Sequence, residues 1–513
     1  MNFPWLTTLL VLPAVGALVV ALLPRGSAAV RPVALAVSLL TLAVGIGAAT
    51  QFRIGGGTAE DPFQLTEIYS WIPQFGVSYA LGVDGISLSL ILLALVLVPI
   101  CIVAAWDDVP AVGRRQNTYF ALMLSLIPMM VGVFAAIDVF LFYVFFEAML
   151  IPVYFLIALF GGTRRGRAAT TFLLFSLAGG LIMLVAVIGV YLAGPRGTDG
   201  FLVTNLTGLD LSVEAGRWLF LGFFIAFAIK APMWPVHTWL PLAAEQSRPA
   251  TSVLLVGVLD KVGTYGMIRF CLAMFPEASQ WATPVIMTLA LLSLFIGAFL
   301  AIGQTDILRL IAYTSISHFG FIVLGIFAFT TVSQTGSALY MVNHGFTTAG
   351  LFLVAGMLIM RRGSRDIRDF GGWQRVTPLI AGSLLVAGLS GLALPGLNSF
   401  VSEFLVIVGT FQRNAWLGVI AALGVILAAV YILVMYQRVA TGPRPELAHA
   451  VPDMTGREKW VVAPIIAAFL ALGFYPQPVL DLLEPAVQQT LQTVGISDPA
   501  PAVDTATAEG SGR

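Results

Sequence analysis

Residues 217–240 read RWLFLGFFIAFAIKAPMWPVHTWL, and this stretch decides the fold class. An apolar run leads to Lys230 and is then interrupted by Pro232 and Pro235. A lysine inside an apolar helix is costly, and proline ends or kinks the helix that contains it. Irregular backbone at membrane depth is tolerated only where it is buried in protein or lines a hydrated cavity. The stretch therefore predicts a broken transmembrane helix inside a larger membrane protein.

The composition of the whole chain agrees with a membrane protein. Of the 513 residues, 58% are hydrophobic and only 10% are charged, and the mean hydropathy is +0.94. Soluble proteins carry about 25% charged residues, so a water-soluble protein is excluded. The net charge is zero, with 26 basic and 26 acidic residues, which argues against nucleic-acid binding. The two cysteines, Cys101 and Cys271, are too few to ligate an iron–sulfur cluster.

Fourteen stretches are long and apolar enough to span a bilayer, since a transmembrane helix needs about 20 apolar residues. They are 3–23, 29–50, 84–106, 117–136, 138–161, 168–193, 217–240, 249–270, 280–302, 306–329, 333–360, 377–412, 414–437 and 460–482. The stretch 377–412 contains LPGLN at 394–398, which predicts a second broken helix. We therefore predict an all-α polytopic membrane protein with about 14 transmembrane helices, of which helices 7 and 12 are broken. The longer connections are polar linkers at 51–83, 194–216 and 438–459.

The spacing of the two breaks suggests an internal repeat. They lie about 160 residues apart, and shifting 117–270 by that offset lands on five further spans at about 280–433. Transporters contain inverted repeats with broken helices in corresponding positions. The predicted organisation is helices 1–3 in 1–116, a first repeat of helices 4–8 in 117–271, a second repeat of helices 9–13 in 280–440, a loop and last helix in 441–489, and a polar, disordered tail in 490–513.

The basic residues are distributed unevenly over the loops. In the fourteen-span arrangement, eighteen of them fall on one side of the membrane and six on the other. Loops rich in lysine and arginine stay in the cytoplasm. The split therefore predicts that both termini lie on the non-cytoplasmic side.

Five charged residues lie deep inside predicted spans, away from the ends, namely Glu147, Lys230, Asp260, Lys261 and Glu403. Each costs about 2.5–3.5 kcal/mol at the bilayer centre, so together they predict a paired network or a polar path inside the protein. The chain has only three lysines among its 26 basic residues, and two of them are in this set. A desolvated lysine can lose its proton, whereas an arginine cannot, so a group that alternates between charged and neutral forms should be lysine.

Three histidines extend this set, namely His237, His318 and His344. A buried glutamate or lysine can also be a structural pair between helices, and buried histidines are often satisfied core residues. Asp260 and Lys261 are adjacent and point about 100° apart on a helix, which favours a structural role for Asp260. Two glutamates, two lysines and two histidines on six different spans nevertheless form the pattern expected of a proton relay.

Five stretches together resemble the antiporter-like membrane subunits of respiratory complex I, the proton-translocating NADH-quinone oxidoreductase. They are AIKAPMWPVHTWLP (228–241), GVLDKVGTYG (257–266), QTDILRLIAYTSISH (304–318), FFEAMLIP (145–152) and LPGLNSFVSEF (394–404). The resemblance extends over nearly the whole chain. It implies a fold of fourteen helices with two inverted five-helix repeats, in a bacterial plasma membrane.

The resemblance also implies site residues, position by position. The matches are Glu147 (the conserved glutamate of helix 5), Lys230 (the lysine of broken helix 7), Lys261 (the lysine of helix 8), His318 and His344 (central polar positions) and Glu403 (the terminal acid of helix 12). His237, at the end of the broken segment, completes the predicted site. Asp260 departs from the family pattern, in which an apolar residue is usual.

The expected mechanism is a proton relay. An ion pair between Glu147 and Lys230 opens and closes, and in the open state Lys230 passes its proton toward Lys261. The two central histidines carry the proton onward to Glu403, which releases it on the non-cytoplasmic side. The chain would be a subunit of a translocase with no redox centre of its own.

The resemblance places the cofactors elsewhere in the complex. FMN, iron–sulfur clusters, NADH and quinone would be bound by other subunits. The implied partners are the lipid bilayer, the sister antiporter-like subunits L and N, and small membrane subunits, with no nucleic acid. One alternative is a subunit of a multi-subunit cation/proton antiporter or of a membrane-bound hydrogenase. Another class is a purely structural membrane subunit, in which the buried charges only pair helices.

Overall fold

The computed structural model describes residues 3–58, 61–110, 115–443 and 451–500. The chain is mostly helical over these residues, as predicted, because a helix satisfies its backbone hydrogen bonds within an apolar segment. The N-terminal elements are α1 (Trp5–Leu22), α2 (Val30–Gln51), β1 (Gln64–Ile72), β2 (Val77–Val83) and α3 (Gly85–Ala104).

Strands β1 and β2 form an antiparallel hairpin where the sequence predicted only a polar linker, at 51–83. The Glu67 carboxylate of β1 accepts hydrogen bonds from the backbone N–H groups of Leu6 and Thr7, at 2.8 and 3.1 Å. These groups lie in the first turn of α1, where N–H groups have no partner inside the helix. The hairpin therefore caps the first helix.

The middle of the chain contains the first predicted broken helix. Its elements are α4 (Arg115–Ala135), α5 (Val139–Ala148), α6 (Leu150–Phe160), α7 (Arg165–Ala193), α8 (Val203–Leu206), α9 (Val213–Lys230), α10 (Trp239–Gln246), α11 (Pro249–Leu254) and α12 (Lys261–Gly266). Two π-helical segments, Leu255–Leu259 and Met267–Leu272, flank α12 and join it to α11 in one continuous span.

The remaining elements contain the second predicted break. They are α13 (Pro276–Ile302), α14 (Ile307–Phe327), α15 (Thr331–Arg362), α16 (Pro378–Gly391), α17 (Asn398–Arg413), α18 (Ala415–Ala440), α19 (Gly456–Phe474) and α20 (Gln477–Val494).

Fewer unbroken helices than the fourteen predicted spans meet a length and hydropathy test for crossing a membrane. Among the described residues, eleven helices are long and apolar enough to cross a membrane, and a twelfth if α19 and α20, which meet at a 69° bend, count as one. The count of fourteen is therefore not confirmed. The other two predicted spans, 217–240 and 377–412, are the two that the structure divides into shorter helices. Helices α16 and α17 have only 14 and 16 residues, and α9 contains three charged residues.

The first predicted break is present. Helix α9 ends at Lys230 and α10 begins at Trp239, with Pro232 and Pro235 in the turn between them. The carbonyl of Ile229, freed at the end of α9, accepts a hydrogen bond from the Trp239 indole N–H at 3.0 Å. A backbone carbonyl freed by the break is thus hydrogen-bonded inside the protein, as a buried backbone group requires.

The second predicted break is also present, between α16 and α17. The side-chain amide of Asn398 donates to the carbonyl of Asn343 at 2.9 Å, and that of Asn343 donates to the carbonyl of Asn398 at 2.7 Å. The Ser390 hydroxyl donates to Asn398 Oδ1 at 2.6 Å. These reciprocal bonds tie the broken helix to α15.

The helices that carry Lys261, His318 and His344 form the centre of the bundle. The hydrophobic segment of Pro249–Leu272 is 100% buried, and those of α14 and α15 are 94% and 89% buried. The corresponding values for α2 and α18 are only 28% and 33%. The exposed sides of these outer helices are apolar, as contact with lipid requires.

The C-terminal boundary differs from the prediction of a disordered tail that starts at residue 490. Helix α20 continues to Val494, because Leu491 and Val494 lie on one helix face and are both buried. Residues 501–513 of the predicted tail lie outside the described residues. The other domain boundaries remain predictions.

Candidate functional site

Glu147 lies near the end of α5 and packs against α7. A Cβ added to Gly180 of α7 would lie 1.5 Å from Glu147 Oε1, so glycine provides the space that the carboxylate occupies. No described residue donates a hydrogen bond to this oxygen. This oxygen is therefore held by packing against α7 rather than by a hydrogen bond from a described residue.

Lys230 is the last residue of α9 and is 1% exposed. Its Nζ lies 5.4 Å from the centre of the Phe172 ring and 5.6 Å from that of Phe146. Aromatic faces attract a desolvated cation by about 2 kcal/mol or more. Within the described part of the chain Nζ has no hydrogen-bond partner, so the rings partly replace the water that burial removes.

Glu147 and Lys230 do not form the predicted ion pair in this structure, because neither Glu147 Oε1 nor Lys230 Nζ has a hydrogen-bond partner among the described residues. Their charges still interact through space, and the charge of Asp260 also acts on Lys230. The expected relay alternates between a closed and an open pair, and in this structure the two residues are in the open, separated arrangement.

Lys261, the first residue of α12, contacts the second half of the bundle. Its Nζ donates to the backbone carbonyl of Val256 at 2.6 Å and lies 2.7 Å from His344 Nδ1 on α15. The ring of Phe319 on α14 lies 5.3 Å from the same Nζ. An ammonium group can only donate, so His344 Nδ1 is the acceptor when Lys261 is charged. The contact can pass a proton directly from lysine to histidine.

His344 and His318 lie side by side on α15 and α14. Their ring centres are 5.3 Å apart and the rings are nearly perpendicular, at 88°. His318 Nε2 lies 3.2 Å from the Tyr431 hydroxyl on α18, and the Thr348 hydroxyl lies 3.3 Å from His344 Nε2. Both histidines are buried. The pair therefore continues the polar series that starts at Lys261.

Glu403 on α17 ends this series. The Tyr340 hydroxyl on α15 donates to Glu403 Oε2 at 2.9 Å, and the Tyr340 ring lies 5.8 Å from that of His318. Glu403 is 2% exposed, and its Oε1 has no hydrogen-bond partner among the described residues. Because a phenol both donates and accepts, Tyr340 can connect the histidine pair to the carboxylate.

Sequence reasoning missed the two tyrosines of this series. Tyr340 precedes His344 by four residues, which places both on one face of α15, so the spacing contained the signal. Tyr431 lies in an apolar stretch of α18 that has no polar pattern. Only the packing of α18 against α14 brings its hydroxyl to the site.

His237 lies apart from the other predicted site residues. It belongs to the turn between α9 and α10, it is 5% exposed, and its ring centre lies 6.5 Å from that of Tyr313 on α14. No described residue bonds to its Nδ1. Four of the seven predicted residues, Lys261, His344, His318 and Glu403, thus lie in one series. Glu147 and Lys230 interact only through space, and His237 lies apart.

A buried carboxylate that the sequence did not single out lies at one end of the bundle. Glu245 of α10 is 3% exposed, and its oxygens lie 2.5 Å from Arg164, 3.5 Å from Arg309 and 3.8 Å from Arg365. The uneven loop charges predicted that these three arginines share one side of the membrane, and they do share one end of the bundle.

Outside the spans, Asp108 has an altered proton affinity. It lies between α3 and α4, beside Arg248 and Arg457. Burial raises the pKa of its carboxyl to about 6, although both arginines oppose this shift. The group is therefore neutral in mild acid and charged at neutral pH.

Comparison with known proteins yields matches to membrane subunits of respiratory complexes. The family described as NADH:quinone oxidoreductase/Mrp antiporter, TM, matches residues 136–429. NADH-quinone oxidoreductase subunit M of Mycobacterium tuberculosis is 50% identical, and the match covers 98% of this chain and 96% of that protein.

Solved structures with the same fold include a chain of respiratory complex I from Thermus thermophilus with bound NADH. It matches with a TM-score of 0.86 and 32% identity over 96% of this chain and 100% of that chain. A chain of the Mrp complex from Dietzia sp. DQ12-45-1b matches with a TM-score of 0.83 over 96% and 100% of the two chains, but at 22% identity it shows the shared fold alone.

The family match spans more than half of the chain and includes all seven predicted site residues. The relative from M. tuberculosis extends the match over nearly the full length. The chain therefore belongs to the NADH:quinone oxidoreductase/Mrp antiporter family of membrane subunits, within the antiporter-like subunit M branch of respiratory complex I.

Proposed function

We propose that this chain translocates protons as a membrane subunit of NADH-quinone oxidoreductase, through a central relay of glutamate, lysine and histidine. The proposal depends on one observation, the series of neighbouring groups from Lys261 through His344 and His318 to Tyr340 and Glu403. Titratable groups at membrane depth are costly and typical of proton pathways. Their contiguity in the buried centre supports transport along them.

The first half of the relay would control when a proton is released. When Glu147 approaches Lys230, the carboxylate holds the proton on the lysine. When the two separate, Lys230 is left among aromatic rings, where the loss of water favours its neutral form. An arginine could not serve here because its guanidinium keeps its proton.

The second half would carry the proton away from Lys230. Lys261 passes it to His344, and the histidine pair passes it through the Tyr340 hydroxyl to Glu403. His237 would admit protons from the end of the bundle that carries Glu245. This role is supported by its position beside Tyr313, one helical turn from Arg309.

Oxidation of NADH and reduction of quinone would take place in other subunits, with FMN and iron–sulfur clusters, and this chain would hold no cofactor. The proposed neighbours are the antiporter-like subunits L and N and small membrane subunits, in a bacterial plasma membrane with both termini on the non-cytoplasmic side. The apolar exposed sides of α2 and α18 support contact with lipid and with such neighbours.

A cation/proton antiporter subunit is the second candidate, because the Dietzia Mrp chain has the same fold. The 50% identity to subunit M of M. tuberculosis favours the complex I role over this one. Proton uptake that requires NADH but neither sodium nor potassium would separate the two candidates.

The proposal is tested by replacing Lys230 in the assembled complex with methionine, which removes the charge, and with arginine, which keeps the charge but cannot release a proton. Inverted membrane vesicles are given NADH, and proton uptake is followed with a pH-sensitive dye per amount of assembled complex. The matched control is Lys459→Met, which changes the third lysine of the chain, an exposed residue near the start of α19.

We expect Lys230→Met and Lys230→Arg to lose most of the proton uptake, whereas Lys459→Met pumps normally. A structural ion-pair role predicts instead that Lys230→Arg behaves like the unmodified chain. Normal uptake in both Lys230 variants would overturn the relay.

A further inference from the structure

Asp260 lies at the junction of the two halves, directly before Lys261. Its backbone angles are helical, with φ −66° and ψ −25°, so it continues α12 at its N-terminal end. Residues three apart lie on one helix face, and Asp260 therefore shares its face with Gly263. A Cβ on Gly263 would lie 2.5 Å from backbone atoms of Phe227 and Ala231. This face consequently packs against the end of α9, where Lys230 lies.

Lys261 points to the other side, toward α15. Its Nζ lies 2.7 Å from His344 Nδ1, and Thr264, three residues later, donates its hydroxyl to Met341 Sδ at 3.0 Å. The neighbouring positions therefore face different helices, as the rotation of about 100° per residue requires. Asp260 faces the first half, and Lys261 faces the second.

The carboxylate of Asp260 is fully buried, and neither of its oxygens accepts a hydrogen bond from a described residue. The charges of Lys261 and Lys230 both act on it. Buried groups with a purely structural role are nearly always hydrogen-bonded. An unbonded carboxylate between two lysines is placed to exchange protons with both.

Building on the proposed function, we propose that Asp260 carries the proton from Lys230 to Lys261. In the first step an N–H bond of the Lys230 ammonium breaks and an O–H bond forms on the Asp260 carboxylate, which leaves a neutral amine and a neutral acid. In the second step that O–H bond breaks and an N–H bond forms on the neutral Lys261 amine, which restores the carboxylate and leaves Lys261 charged. Charge is conserved in each step, and no oxidant or reductant is needed.

The local backbone supports this role. A π-helical segment, Leu255–Leu259, immediately precedes Asp260, and such segments are frequent at functional sites. The carbonyl of Val256 in this segment accepts the hydrogen bond from Lys261 Nζ. The segment thus holds the Lys261 side chain against α15, while Asp260 faces α9.

The test replaces Asp260 in the whole complex with asparagine, which has the same shape, and with leucine, which is apolar. Proton uptake and NADH oxidation are measured per assembled complex, in H2O and in D2O. Asp84→Asn serves as the structural control, because buried Asp84 is paired with Arg269.

We expect both Asp260 variants to assemble and to pump about 100-fold more slowly, the usual contribution of a positioned proton-transfer group, with a larger solvent isotope effect. Asp260→Glu, which keeps a carboxylate, should recover part of the rate. Asp84→Asn should instead lower the amount of complex and leave the isotope effect unchanged.

Wild-type pumping in Asp260→Asn or Asp260→Leu, with pumping lost in Lys230→Met, would refute this role and leave the proposed function standing. Wild-type pumping in all three variants would refute both. Failure of both Asp260 variants to assemble would make the residue structural and would also overturn the proposal.

Discussion

Replacement of Gly263 by alanine would test how closely α9 and α12 are packed at the site. The added Cβ would lie 2.5 Å from the backbone nitrogen of Ala231 and 2.5 Å from the carbonyl oxygen of Phe227. Both neighbours are backbone atoms at the end of α9, so neither can rotate away as a side chain could. Helix α12 must therefore move away from α9.

The size of the effect follows from these distances. Ordinary contacts begin at 3.4 Å, so the helices must separate by about 1 Å. Overpacking of this kind costs about 1–3 kcal/mol. Alanine is intrinsically better than glycine in a helix by about 0.5–1 kcal/mol, which offsets only part of the cost. A misplacement of about 1 Å can lower the rate of a catalysed step by about 100-fold.

The assay compares Gly263→Ala with Gly382→Ala, a change on α16 where the new Cβ would meet no atom within 4 Å. We expect Gly263→Ala to lower the temperature of half-inactivation of the purified complex and to slow proton uptake per complex at least tenfold. Gly382→Ala should be neutral or slightly stabilising. Equal stability and equal pumping in the two variants would contradict the close approach of α9 and α12.

Three further predictions concern other contacts. Tyr340→Phe removes the hydroxyl that donates a hydrogen bond to Glu403. A hydrogen bond to a charged group contributes about 1.5–3 kcal/mol, so pumping should fall about tenfold or more. Unchanged pumping would exclude Tyr340 from the proton path. Burial raises the pKa of Asp108 to about 6, so its contribution to stability is present in acid and is lost as the pH rises through this value. Asp108→Asn should therefore weaken the fall in thermal stability between about pH 4 and 7. An unaltered pH profile of thermal stability would contradict this prediction. Arg361→Ala removes the two hydrogen bonds, of 2.8 and 2.7 Å, that the buried Glu458 carboxylate accepts from Arg361. Breaking such a buried pair costs about 3–5 kcal/mol, so the yield of assembled complex should fall on native gels. An undiminished yield would refute a stabilising role for the pair.

The features that sequence predicted well are those with local causes. The breaks after Lys230 and around LPGLN at 394–398 follow from proline, which removes a backbone donor at its own position. The location of Lys261, His318, His344 and Glu403 in buried helices follows from the cost of charged and polar groups in lipid.

The features that sequence could not predict depend on contacts between distant segments. Tyr431 reaches His318 only because α18 packs against α14, and Glu67 caps α1 only because the hairpin folds back onto it. The predicted count of fourteen spans is not confirmed, because a length and hydropathy test does not score the two broken helices as spans. The separation of Glu147 from Lys230 depends on side-chain positions that composition does not contain.

Glu245 has a consequence for how this protein can move. Arg164 lies between α6 and α7, Arg309 lies on α14, and Arg365 follows α15, so one carboxylate is clasped by guanidinium groups from both repeats. Rocking of one repeat against the other would have to separate the buried Glu245 carboxylate from Arg309 and Arg365, the arginines of the other repeat. For the proposed proton relay, these ion pairs oppose such rocking and favour small rearrangements confined to the interior. The proposed pump would then keep the same contacts with neighbouring subunits throughout its cycle.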